Sequence, residues 1–72
     1  MQTLGELIAM NRQKLNITQE ELAFRICTGI RKIKMLEENR YIPSRQMLFR
    51  LSTILDIPLA ELTDRCGKNG LH

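Results

Sequence analysis

The stretch Thr18–Asn39, TQEELAFRICTGIRKIKMLEEN, limits the possible folds of this chain more than any other segment. It holds two helical patterns separated by a break of about four residues. Leu22, Ala23 and Ile26 make a short apolar stripe. Thr18-Gln19-Glu20-Glu21 opens it with the pattern of a capping box, in which the Thr hydroxyl takes a free amide and the Glu reaches back. "CTG" then interrupts the period, and Gly29 is placed to cap a second helix. Ile33 and Leu36, three residues apart, give that helix an inward face over about 30–38. Asn39 can close it in a left-handed conformation, which Asn tolerates better than most residues. A turn this short makes an antiparallel return difficult. Two helices so joined cross nearer a right angle and leave one face of the second free. Such a crossing brings the backbones close, and Ala23 supplies a small residue for it.

The other segments read as helices that enclose this pair. Thr3-Leu4-Gly5-Glu6 is another capping box, and Leu4, Leu7, Ile8 and Leu15 follow at helical spacings, so a first helix runs from 4 to about 14. Asn16 offers its stop. After "RYIPS", Ser44 can cap a fourth helix whose stripe is Met47, Leu48, Leu51, Ile54 and Leu55. Asp56–Pro58 breaks the pattern again, and a fifth helix over about 59–65 carries Leu59 and Leu62 inward. Two glycines and no period in "CGKNGLH" read as a frayed end. The expectation is an all-α, compact bundle of about five short helices, with residues 1–66 as one domain and 67–72 as a flexible tail. A core for 72 residues with two Phe, one Tyr and no Trp must be aliphatic.

Several function classes are poorly served by these residues. No apolar run is long enough to span a membrane, and Met1–Met10 lacks the basic start of a signal peptide, so the expected compartment is the cytoplasm. The single histidine, His72, allows no Ser-His-Asp or Cys-His pair, and no Gly-rich phosphate loop is present, so an enzyme is not expected. Two distant thiols with that histidine supply no metal site, and no cofactor or small-molecule ligand is evident. Cys27 reads as a small buried side chain, and Cys66 as a free thiol in the frayed end.

Charge is unevenly spread. The net charge is +3, but Arg25, Arg31, Lys32, Lys34, Arg40, Arg45 and Arg50 face only Glu37 and Glu38 between residues 25 and 50. The remaining chain is acidic on balance. A charged helix face alone is most often only solvated. In a helix-turn-helix, however, the free face of the second helix fits the major groove of DNA, where its first turns meet base edges.

The segments "LGELIAMNR", "ITQEELAFRI", "IRKIKMLEEN", "IPS" and "LSTILDIPLAEL" together resemble the Cro/cI-type (Xre-type) helix-turn-helix DNA-binding regulators, over about Leu4 to Leu62. The resemblance implies a lambda-repressor-like DNA-binding domain. It implies that Gln19 hydrogen-bonds a DNA phosphate, and that Arg12 and Glu37 form a structural ion pair. It places Gly29, Ile30, Arg31, Lys32 and Met35 at the base-reading positions with Lys34 beside them, and Arg40 and Arg45 near the DNA backbone. Four positions depart from the family's pattern, Ile30 and Met35 by being less polar than typical base readers. Cys27 stands where the turn commonly has Gly, and Asn39 where Gly usually follows the recognition helix. If the family's positive φ is kept at Cys27, its Cβ costs roughly 1 kcal/mol or more.

The function expected is a sequence-specific double-stranded DNA-binding transcriptional regulator, a repressor acting by operator occupancy. One short recognition helix reads few base pairs, so a homodimer on an inverted-repeat operator is expected. Its surface is expected in the C-terminal part, around Leu59, Leu62 and Leu71. With no room for a sensor domain, a signal is expected to act through a partner, a thiol or protein concentration. The rival is a protein-interaction module of the same fold, antitoxin-like or an anti-regulator, kept open by the apolar Ile30 and Met35.

Overall fold

The computed structural model describes residues 2–67. It has five helices: α1 (Leu4–Lys14), α2 (Gln19–Arg25), α3 (Ile30–Glu37), α4 (Arg45–Leu55) and α5 (Leu59–Gly67). The described residues contain no strand.

Local sequence rules start the helices. Thr3 and Glu6 complete a reciprocal capping box: the Glu6 amide donates to Thr3 Oγ1 at 3.2 Å, and the Thr3 amide to Glu6 Oε1 at 2.9 Å. These bonds hold the Glu6 carboxyl below its ordinary pKa. Ser44 caps α4 through the Met47 amide. At α2 only half of the expected box forms. Thr18 accepts from the Glu21 amide, but the Glu21 carboxylate turns to Arg25, 2.8 Å away.

The helix stops share one device. The residues just past α1, α2, α3 and α4 are Asn16, Cys27, Asn39 and Asp56, and all four are left-handed, with φ between 56° and 61°. In each case the next amide reaches back to a carbonyl in the last turn, as Arg40 does to Met35 at 2.8 Å and Thr28 to Ala23 at 2.9 Å. Asn and Asp accept this conformation readily; Cys does not. The positive φ anticipated at Cys27 is present, and its Cβ cost with it.

The core is aliphatic. Leu4, Leu7 and Ile8 of α1 meet Leu22, Ala23 and Ile26 from α2 and its cap, Ile33 and Leu36 of α3, Leu48, Leu51 and Leu55 of α4, and Ile57, Leu62 and Cys66. α1 packs against α3, α4 and α5, while α2 packs on α3. Arg50 of α4 donates to the Ile26 carbonyl at 3.1 Å, so α4 closes the C-terminal end of α2 with a cation.

Four side chains depart from expectation. Leu15 is the C-cap of α1, where the chain turns away, and is 46% exposed. Leu59 opens α5, one turn beyond the buried Leu62–Cys66 stripe, and is 39% exposed. The two cysteines exchange roles. Cys27 is exposed because it occupies a turn, whereas Cys66 lies four residues after Leu62 on the same helix face and is buried. Burial pushes the Cys66 thiol pKa up. Of the segment read as a frayed end, Cys66 and Gly67 belong to α5. Residues 68–72, with Leu71 and His72, lie outside the described residues.

Candidate nucleic-acid interface

The candidate site is the outward side of α3. At about 100° per residue, the buried Ile33 and Leu36 set the inward direction. Arg31, Lys34 and Met35 stand opposite, with Ile30 and Lys32 on the two flanks. Arg31 and Lys34 are exposed and Met35 is half-buried. Lys34, expected only beside the reading positions, is therefore central. Lys32 is drawn sideways, its Nζ 5.8 Å from the Tyr41 ring centroid.

The C-terminal end of α3 is held on two sides. Glu37 accepts from Arg12 Nε at 2.7 Å and Nη2 at 3.2 Å, and from Gln19 Nε2 at 2.9 Å. Arg12 also donates to the Ile17 carbonyl at 2.9 Å. The Arg12 and Glu37 side chains are only 13% and 8% exposed. A pair this enclosed needs every one of its polar atoms satisfied. The second hold is Asn39. Its Oδ1 accepts from the Gly5 amide at 2.9 Å and its Nδ2 donates to Thr3 Oγ1 at 3.0 Å. Gly5 permits this approach, since a Cβ there would lie 2.4 Å from the Glu37 carbonyl oxygen.

The N-terminal end of α3 is open. Gly29 is its N-cap, in extended conformation, with no side-chain cap and, apart from itself and its two neighbours in sequence, no heavy atom within 4 Å of where a Cβ would stand. The Lys32 amide turns back to the Gly29 carbonyl at 3.2 Å, while no side chain serves the Ile30 and Arg31 amides, and positive charge beside a helix N-terminus is unfavourable without an anion. Arg31 and Lys34 make no ion pair among the described residues, nor does Arg45, the exposed first residue of α4. Arg40 is held loosely by Glu38 at 3.6 Å, both well exposed, a contact of little energy.

The model of the helix-turn-helix family matches residues 8–62, more than half of the chain. The chain belongs to the Cro/C1-type helix-turn-helix family. No curated protein and no solved structure matches it. The family is one of DNA-binding regulatory domains rather than enzymes. None of the helices described is long and apolar enough to cross a membrane.

In this helix-turn-helix domain, α3 occupies the place of the recognition helix. Gly29, Ile30, Arg31, Lys34 and Met35 lie together on its open end and outward face, and Lys32 lies at the edge. Arg40 and Arg45 sit in and just after the α3–α4 connection instead. Gln19 opens α2, half-buried, with one amide proton given to Glu37. Its carbonyl and second amide proton remain for another partner.

Sequence reasoning missed three features. The Asn39 clamp joins residues 34 positions apart, and nothing local signals it. The Arg50 bond to Ile26 is equally non-local. Phe24 and Phe49 are both on the surface, 81% and 61% exposed. For Phe24 a signal existed, because the helical period already sets it opposite Leu22 and Ile26.

Proposed function

We propose that this domain is a sequence-specific double-stranded DNA-binding regulator of transcription that represses by occupying its operator in the cytoplasm, as a homodimer on an inverted repeat. The observation that carries the reading is the asymmetry of α3. Its C-terminal end is fixed to α1 and α2, while its uncapped N-terminal end and basic outward face have no partner among the described residues. Inserted into a major groove, Arg31 and Lys34 meet base edges, and Met35 and Ile30 can meet thymine methyl groups. Gln19, Arg40, Arg45 and Lys32 serve the phosphates, which fix register without reading sequence. Leu59 is an exposed apolar residue available to the dimer contact, whereas Leu62 is core.

Selection from random duplexes tests this reading. The expected result is an enriched inverted repeat whose binding weakens steeply with salt, since each neutralised phosphate releases counterions. A footprint of a single half-site with one chain per duplex at saturation would remove the dimer from the proposal. One observation favours the second reading, a protein-interaction module: both phenylalanines are exposed. Association with a protein through either ring would show little salt dependence and would be lost in the matching variant, Phe24→Ser or Phe49→Ser, with the basic face intact.

A further inference from the structure

We propose that Asn39 is a positioning residue that sets the angle of α3 on α1 and thereby decides which base edges α3 reaches. The inference rests on the DNA-binding reading above. It begins with the contact between the two helices. Gly5 approaches the Leu36 and Glu37 carbonyls so closely that an added Cβ would lie 2.7 Å and 2.4 Å from them. The contact is therefore backbone against backbone, with no side chain to absorb a shift. Asn39 fastens it from the far side of the turn, holding the Gly5 amide and the Thr3 hydroxyl together. The Gly5 amide is one of the first-turn donors that no helical carbonyl serves. Asn39 satisfies it with a side chain anchored by its own left-handed backbone, φ 61°.

The consequence for recognition is a matter of leverage. Eight residues of helix extend about 12 Å at 1.5 Å per residue. A tilt of about 10° at the clamped end moves the open end by roughly 2 Å over that length. Hydrogen bonds to base edges tolerate only a few tenths of an ångström. Loss of the clamp thus alters base reading at Arg31 and the residues near it, even where the fold persists.

The test compares Asn39→Gly and Asn39→Asp with the unaltered chain, by selection from random duplexes and by titration of the selected duplex well below the melting temperature of each protein. Glycine accepts the left-handed backbone but removes both side-chain bonds. It is expected to change the ranking of sites and to weaken the parent's best site about tenfold, leaving bulk non-specific duplex binding near its original level. Aspartate keeps the acceptor for the Gly5 amide. It is expected to restore the parent ranking while weakening every duplex alike, because added negative charge opposes the phosphates without regard to sequence. An Asn39→Gly protein that selects the parent's sites with the parent's affinity, even if it melts earlier, overturns the proposal and leaves the DNA-binding reading standing. Absence of any sequence preference in the unaltered chain overturns that reading and the proposal together.

Discussion

The two ends of α3 are built on opposite plans. At the C-terminal end, Glu37 and Asn39 are tied by hydrogen bonds to Arg12, Gln19, Gly5 and Thr3. At the N-terminal end, Gly29 leaves the first turn uncapped and Arg31 and Lys34 face solvent. Stability is concentrated where the helix meets its own protein, and unsatisfied donors and cations where it meets none. A purely structural helix gains by capping both ends. Leaving one open makes sense when a ligand completes it.

The strongest way to break this contrast is to cut the closed end. Glu37→Ala leaves Arg12 enclosed without its carboxylate and Gln19 without its acceptor. It is expected to destabilise the fold by about 1.5–3 kcal/mol, the range for hydrogen bonds to a charged group, because the pair is largely but not fully enclosed. Urea unfolding followed by circular dichroism measures this. A loss under about 1 kcal/mol would show the pair to be no more than a surface contact.

The next effect belongs to the open end. Arg31→Ala is expected to leave the fold intact, to relax the preference at one base position, and to cost about 1–3 kcal/mol on the selected site. Arg40→Ala, beyond the closed end, should instead weaken all sequences similarly and lower the salt slope by about one. Unchanged site ranking in Arg31→Ala would remove Arg31 from the base readers.

These ends differ in how far the sequence announced them. Helix starts were readable at Thr3, Thr18 and Ser44, because capping depends on residues three apart, and at Gly29, because the apolar period is interrupted there. Helix stops were readable at Asn16, Asn39 and the Asp56 break for the same local reason. The basic side of α3 followed from Ile33 and Leu36, since period alone fixes which residues are left outside. What stayed hidden depends on residues distant in the chain. The Asn39 side chain crosses to Gly5, and Arg50 to Ile26. Cys66 is buried only because α5 extends far enough to carry it inward beneath Leu62. Cys27 went the other way: its small size argued for burial, but its place in the turn after α2 put it in solvent. Glu21 fits a capping box in sequence and pairs with Arg25 in space, two local options that pattern alone does not rank.

Cys27 offers a smaller test, in the turn that leads to the open end. Its φ of 61° is the one left-handed position among the four helix stops held by neither Asn nor Asp. Cys27→Gly is expected to stabilise the domain by about 0.5 kcal/mol, from relief of the Cβ penalty less the greater freedom of glycine in the unfolded chain. Site ranking should not change, because the backbone path into α3 is already the one glycine prefers. A destabilised Cys27→Gly protein would mean that the thiol makes a contact worth more than the strain.

The smallest effect on stability comes at Gly29 itself, where stability and binding should part. Its φ of −84° and ψ of 153° suit any residue, and the space around it is empty. Neither backbone nor packing therefore demands glycine there. Gly29→Ser and Gly29→Asp each supply the missing cap and should stabilise the fold by a few tenths of a kcal/mol. On DNA they should diverge. Serine is neutral, whereas aspartate sets a negative charge at the end of α3 that approaches the phosphates. Gly29→Asp is expected to bind every duplex more weakly than Gly29→Ser, with the gap narrowing as salt is raised. Thermal melts paired with titrations at two salt concentrations measure both quantities on the same proteins. If the two variants bound alike at low salt, the open end of α3 would not lie against a polyanion, and its missing cap would need another cause.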